Sequence, residues 1–178
     1  LSPDNRSIAA DVEGGVVLLD VQGNATRTID HVANFCGGLA WTPDSNRLVV
    51  RRLNGSLIVD RRGRPLSHID GRYVVNGSMS WSPDGRRLLL YDKKSGRFVS
   101  HDVTSGSEVV LHRPAGARKP LGWAGSRIVW LAGAVGDQRL VITDDTGKDP
   151  RLWTRLDTQG LPIESISWST PLRRAAPD

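Results

Sequence analysis

Four histidines, one cysteine and a short acid-rich run are the side chains of this 178-residue sequence whose types suit covalent or metal chemistry. Nucleophilic catalysis needs a nucleophile, a base and an orienting group within reach of one another. The sequence has no Gly-x-Ser-x-Gly elbow, which excludes a complete α/β-hydrolase. His31, His68 and His112 fall in segments read below as outer strands, and His101 at the end of a third strand. That scatter reads as ordinary strand and rim positions. There is no His-Glu-x-x-His, no cysteine pair and no EF-hand loop. Asp144, Asp145 and Asp149 could attract a cation, but with Thr146 and Gly147 between them they read as a solvated hairpin turn. Cys36 stands among Asn34, Phe35, Gly37 and Gly38, and reads as a small packed residue rather than a reactive thiol. We therefore assign no catalytic residue, cofactor or metal ligand.

Charge excludes less. Lys plus Arg is 24 against 19 acids, giving a net charge of +5, and all but four of the bases are arginine. Nucleic acid is not the expected partner, because the arginines recur at similar places in each repeat and alternate with acids. Arg51-Arg52, Arg61-Arg62-x-Arg64, Arg86-Arg87 and Arg173-Arg174 read as a solvated rim. Arg61, Arg62 and Arg64 share one turn and form the best candidate anion patch. Apolar runs are too short to span a membrane. One cysteine rules out an internal disulfide framework.

What positions these residues is a repeat. Leu39-Ala-Trp41-Thr-Pro-Asp44 is followed by Arg47-Leu-Val-Val50, and Met79-Ser-Trp81-Ser-Pro-Asp84 by Arg86-Arg-Leu-Leu-Leu90. Leu1-Ser-Pro-Asp4 is a partial copy. Leu121-Gly-Trp123-Ala-Gly125 is degenerate, and Ile166-Ser-Trp168-Ser169 is only a start. Trp41, Trp81, Trp123 and Trp168 are 40, 42 and 45 residues apart. A second marker runs in phase. Asp20, Asp60, Asp102 and Asp144 each close a short apolar run and precede Gly23, Gly63, Gly106 and Gly147, with spacings of 40, 42 and 42.

Within each unit, β-rich runs are bounded by turn residues. Several are apolar on consecutive positions, which requires burial of both faces. Four strands per unit are expected. Innermost strands fall near 37–42, 77–82, 119–124 and 163–169, and second strands near 6–12, 46–53, 86–92 and 126–132. Third strands fall near 15–21, 56–61, 97–103 and 138–144, and outer strands near 25–32, 65–72, 107–113 and 150–157. In Ser82-Pro83-Asp84-Gly85 the residue types suit a type I turn.

Serial four-stranded units of this length read as an all-β fold, a β-propeller of four-stranded antiparallel blades. Trp81-Ser82-Pro83-Asp84-Gly85 and Trp41-Thr42-Pro43-Asp44 make the likeness more specific. The sequence resembles the TolB-like, WD40-like repeats of bacterial propellers, with Ala124-Gly125 a departure that shortens one turn. The propeller domain is expected over 1–170, with blade units at about 1–32, 37–72, 77–113 and 119–157. Segment 163–169 would be the innermost strand that completes the first blade, and 171–178 a tail. The sequence starts inside a repeat. Three readings follow for these four blades: part of a larger ring with blades upstream, a ring completed by a second copy, or a small closed ring.

The resemblance implies a non-enzymatic scaffold for a protein or peptide partner, acting in the bacterial cell envelope outside the cytoplasm. The alternatives are an accessory propeller of a larger enzyme, such as a serine peptidase, or a sensor domain of a membrane-anchored regulator. Loops joining an outer strand to the next innermost strand gather at one channel mouth. Candidate contact residues there are Asn34, Cys36, Asn76, Arg118, Lys119 and Glu164. Trp41, Trp81, Trp123, Trp168, Asp44, Asp84, Asp20, Asp60, Asp102 and Asp144 are expected to be structural.

Overall fold

The computed structural model describes residues 1–12, 15–30, 38–52, 55–75 and 81–156. These residues form strands, with no helix among them. Sheet 1 contains β1 (Ser7–Val12), β2 (Gly15–Asp20) and β3 (Ala25–Asp30). Sheet 2 contains β4 (Leu39–Trp41), β5 (Arg47–Arg52), β6 (Gly55–Asp60) and β7 (Pro65–Asp70). Sheet 3 contains β8 (Tyr73–Val75), β9 (Arg87–Asp92), β10 (Arg97–Asp102) and β11 (Glu108–Val110). Sheet 4 contains β12 (Ala117–Ala124), β13 (Arg127–Ala132), β14 (Arg139–Thr143) and β15 (Arg151–Arg155). Each sheet is an antiparallel meander in chain order.

The continuous apolar runs are explained by sandwiching. Leu48 and Val50 of β5 pack on Val16, Leu18 and Ile29 of sheet 1. Val49, between them, packs with Leu88, Leu90 and Trp81 of sheet 3. Leu89 points the other way, into a cluster with Ile128, Trp130 and Ala132 of sheet 4. A strand with a sheet on either side must be apolar at odd and even positions alike. Sheets 1 to 4 are therefore packed in sequence by three clusters. A fourth cluster, Leu121, Val129, Leu131 and Leu140, lies on the far face of sheet 4, and its described members all belong to that sheet or to Leu156 just beyond it. Among the described residues the four blades form an open arc, with no core cluster joining sheet 4 to sheet 1.

The motif tryptophans take matching places. Trp41 faces Leu48, Trp81 faces Leu88 and Trp123 faces Ile128, each across from the start of a second strand. Trp168 and the expected strand 163–169 lie outside the described residues. In sheet 3 the pairing of the innermost strand begins earlier than expected, with β8 at Tyr73–Val75 facing Asp92–Leu90, and returns at Trp81. In sheet 4 the missing Ser-Pro-Asp-Gly turn leaves a two-residue hairpin between Ala124 and Arg127, with Gly125 at φ 59°.

The Ser/Thr-Pro-Asp turn is one device used three times. The hydroxyls of Ser2, Thr42 and Ser82 donate to the carboxylates of Asp4, Asp44 and Asp84. Those carboxylates accept the amides of Arg6, Asn46 and Arg86. The residue after each aspartate is left-handed: Asn5 at φ 58°, Ser45 at φ 61° and Gly85 at φ 67°. Only glycine reaches that region without cost. A Cβ on Gly85 would meet side chains no nearer than 3.6 Å, so its substitution tests backbone strain alone. Gly85→Ala is expected to lower stability by about 1–2 kcal/mol in urea unfolding, and an unchanged midpoint would remove the conformational argument.

Candidate functional site

Repeating turns hold most of the carboxylates in structural work. Asp20 accepts the amides of Gln22 and Asn24 at 3.0 and 2.8 Å. Asp60 accepts those of Arg62 and Arg64, Asp102 those of Thr104 and Ser105, and Asp144 those of Thr146 and Lys148. The acid-rich run does not converge on a cation position. Asp144 turns back on its own loop, Asp145 pairs with Arg87 at 2.7 Å, and Asp149 faces Arg151 at 3.0 Å. Among the described residues no group of three or more His, Cys, Asp or Glu side chains is placed to hold a metal. The Arg61–Arg64 trio is also partly spent, since Arg61 pairs with Asp4 at 3.3 Å and Arg64 with Asp60 at 2.6 Å. Arg61 thereby ties sheet 2 to sheet 1, as Arg87 ties sheet 3 to sheet 4.

These bonds set a pH dependence. The Ser82 hydroxyl, then the Arg86 amide and the Arg86 and Arg87 charges, hold the Asp84 carboxyl below its ordinary value against the opposing effect of burial. Asp4 is lowered first by Ser2, and Asp144 first by Thr146. A carboxylate with a lower pKa in the fold binds fewer protons there than in the unfolded chain. Its stabilising share is complete above an unfolded pKa of about 3.9 and is lost as pH falls through the lower folded value. Urea midpoints are expected to decline steeply below about pH 4, with a shallower decline in Asp84→Asn. A midpoint insensitive to acid would contradict the turn chemistry.

The entrance to each innermost strand lies at the opposite end of the sheets from these Asp turns. There Gly38 accepts the amide of Arg51 at 2.9 Å, and Arg52 follows at the end of β5. In sheet 3 the Lys93 amide donates to Arg72 at 2.9 Å. In sheet 4 the corresponding residues are Arg118 and Lys119, near the start of β12. Register shifts on either side of Lys119, between Ala117 and Lys119 and between Pro120 and Gly122, mark bulges in β12. A bulge re-aims a side chain. Ala117 and Pro120 are buried whereas Arg118 is exposed. The structure thus carries Arg51, Arg52, Lys93, Arg118 and Lys119 to one end of three successive sheets, where Asp70, Asp92 and Asp137 also lie. Asn34, Cys36, Asn76 and Glu164 lie outside the described residues.

One charged group was not legible in the sequence. Arg72, Tyr73, Asp92, His101 and Glu108 meet on sheet 3. Arg72 bonds the Tyr73 hydroxyl and lies 3.5 Å from Glu108 and 3.9 Å from Asp92, and His101 lies 3.2 Å from Glu108. Burial, then Glu108, pushes the Tyr73 phenol up, which keeps it protonated. The partners come from β8, β9, β10, β11 and the turn before β8, so no local spacing announces them. His68 is exposed in β7, and His112 is exposed beyond the end of β11. No helix among the described residues is long and apolar enough to cross a membrane.

Solved structures share this arrangement. A putative TolB from Agrobacterium tumefaciens superposes with a TM-score of 0.59 at 18% identity, over 86% of this chain and 59% of that one. An oligogalacturonate lyase from Vibrio parahaemolyticus gives 0.59 at 15% identity, over 85% and 50%. The β-propeller domain of the Trilobed protease from Pyrococcus furiosus, described as having an open velcro topology, gives 0.55 at 16% identity, over 83% and 52%. The chain spans about half to three-fifths of the length of these three structures. No family model matches the sequence, and no curated protein matches it. The likeness shows the fold: a run of WD40-like β-propeller blades, as the tryptophan motif implied.

Proposed function

We propose that this chain is a non-enzymatic propeller scaffold that grips an extended, acidic segment of a protein partner at the cationic end of its blades. The observation that carries the reading is the exposed Arg118 on the bulged start of β12, at the same end of the sheets as Arg51, Arg52 and Lys93. Rigid blades hold these side chains at fixed separations, so little ordering cost falls on the scaffold when a segment binds. Long-range attraction of an acidic segment to clustered cations raises the encounter rate and weakens with salt. The TolB-like repeat supports a place in the bacterial cell envelope.

The test is capture of partners by the full-length protein, compared with Arg118→Glu and Lys119→Glu. Each reversal is expected to weaken capture about tenfold, by analogy with truncated interfacial charge pairs, and more so at low salt. Identical partners and affinities in both variants would place the binding face elsewhere. An accessory role on a larger enzyme would show instead as altered substrate size selection with partner capture unchanged.

A further inference from the structure

Arginines that cross from one sheet to the next end on oxygen. Arg61 of sheet 2 reaches Asp4 at 3.3 Å, and Arg87 of sheet 3 reaches Asp145 at 2.7 Å. Arg47 of sheet 2 donates to the Gly85 carbonyl of sheet 3 at 2.9 Å. Arg27 of β3 also crosses, from sheet 1 to sheet 2, but its guanidinium has no such partner among the described residues. Arg27 faces Leu18 across the β2–β3 pair, and Leu18 packs on sheet 2, so the two side chains share the face turned toward sheet 2. A bulge sets the direction of Arg27. The register shifts between Leu18 and Leu19, which leaves Thr26 over, and the Thr26 hydroxyl donates to the Leu18 carbonyl at 3.0 Å.

The stem of Arg27 lies over the turn between β6 and β7. A Cβ on Gly63 would stand 2.9 Å from its Cδ, 3.1 Å from its Cγ and 3.2 Å from Leu18 Cδ1. Glycine at this position, with φ 73°, admits the crossing. At the equivalent Gly23 and Gly106 a Cβ would meet nothing within 4 Å, and at Gly147 the neighbour is the main chain of His112. Gly63 stands between Arg62 and Arg64, with Arg61 one residue earlier, so four arginine side chains meet at one turn. Two of the four are matched, Arg61 by Asp4 and Arg64 by Asp60 at 2.6 Å. Arg27 and Arg62 are exposed, and neither pairs with an acid among the described residues. Four less two leaves two positive charges unmatched.

The amides of this turn are already used. Those of Arg62 and Arg64 go to the Asp60 carboxylate, that of Gly63 to the Asp60 carbonyl and that of Arg61 to the Asn46 carbonyl. Recognition of an anion here therefore falls to guanidinium forks, whose paired N–H groups fit two oxygens of one ligand. Two forks with two unmatched charges suit a tetrahedral dianion better than a planar monoanion such as a carboxylate. A phosphomonoester carries a charge of about −1.5 to −2 near neutral pH and three acceptor oxygens. We propose that Arg27 and Arg62 bind the phosphate group of a phosphomonoester at the rim between sheets 1 and 2, beside Arg61 and Arg64, which their own acids hold in place. The exposure of Arg27, Arg62 and Arg64 leaves the ester substituent free to project into solvent. This site lies at the Asp-turn end of the sheets, remote from Arg118.

The test is calorimetric titration of the whole chain with phenyl phosphate at low salt. Saturable binding with a Kd of about 1 mM is expected. Arg27→Gln and Arg62→Gln are each expected to weaken it about tenfold. Arg27→Lys keeps the charge and removes the fork, and is expected to lie between Arg27→Gln and the unaltered chain. Arg97→Gln removes the same charge from an exposed position at the other end of sheet 3 and is expected to change nothing. Phenyl sulfate, of the same shape with one charge fewer, is expected to bind about tenfold more weakly. Equal affinities in Arg27→Gln, Arg62→Gln and Arg97→Gln would show a general charge effect and overturn the proposal. Equal affinity for phenyl sulfate and phenyl phosphate would overturn it too, as would the absence of saturable binding below about 10 mM. Tighter binding of inorganic phosphate than of phenyl phosphate would assign the site to the free anion and overturn the ester. Phosphate binding is read in Arg118→Glu and partner capture in Arg27→Gln, each expected unchanged, so this reading and that of the Arg118 end fail separately.

Discussion

Trp81→Ala is expected to destabilise the protein by about 3–5 kcal/mol, the range for removing a large buried aromatic. The side chain is 5% exposed and lies at the seam of sheets 2 and 3, with Ala40, Val49 and Ile58 on one side and Leu88, Leu90 and Val99 on the other. Its loss removes that contact area, the stacking of Arg47, and the hydrogen bond to Ala40. Trp81→Phe retains much of the area and is expected to cost about 1–3 kcal/mol, from the smaller ring and the lost indole hydrogen bond, the pairing of Ala40 with Val49 remaining. The seam also has a kinetic and cooperative meaning. In a serial array, stability is a sum of unit and nearest-neighbour terms. Weakening one seam should therefore split unfolding into two steps, one for each half of the arc. Urea unfolding followed by far-ultraviolet circular dichroism checks both points. A small change in midpoint with a single sharp transition would mean that sheets 2 and 3 are not coupled through this indole.

Trp130→Ala is expected to cost a similar amount, about 3–5 kcal/mol, at the next seam. Trp130 is fully buried in β13 and packs edge-on against Phe98 of sheet 3, with ring centroids 5.9 Å apart at 83°. Its indole donates to the Thr143 hydroxyl at 3.0 Å, and that hydroxyl donates onward to the Asp144 carbonyl at 2.9 Å. Thr143→Val keeps the shape and removes the acceptor. Leaving a buried N–H unpaired costs about 1–3 kcal/mol. The pair of variants separates packing from polar satisfaction. If Thr143→Val is neutral while Trp130→Ala is severe, the hydrogen bond carries nothing and the cavity carries all. If both are neutral, the seam between sheets 3 and 4 is held elsewhere.

The cationic end was partly legible. Arg118 and Lys119 read as mouth residues because they lie on the loop that leads into the Trp123 strand. Their exposure, however, comes from bulges in β12, which no residue type in Arg118-Lys119-Pro120 announces unaided. Arg51-Arg52 reads as part of a solvated rim, and nothing in the sequence singles out Lys93. Their alignment with Arg118 follows from the register of three sheets and not from proximity in sequence. The Arg72–Glu108 group was invisible for the same reason: its members are brought together across four strands.

The order of turns and strands was written in the sequence because those interactions are local. A hydroxyl two residues before an aspartate and a residue tolerant of positive φ after it make the same turn wherever they occur, as at Ser2, Thr42 and Ser82. Consecutive apolar positions in Leu48-Val49-Val50 required two buried faces, and they have them. What each tryptophan experiences was decided by its neighbours in space. Trp41 and Trp81 share one motif and one register, yet Trp81 is buried and hydrogen-bonded, whereas Trp41 is only half-buried with its indole N–H unmatched. Burial is a property of the adjacent sheet, and the adjacent sheet lies some forty residues away along the chain.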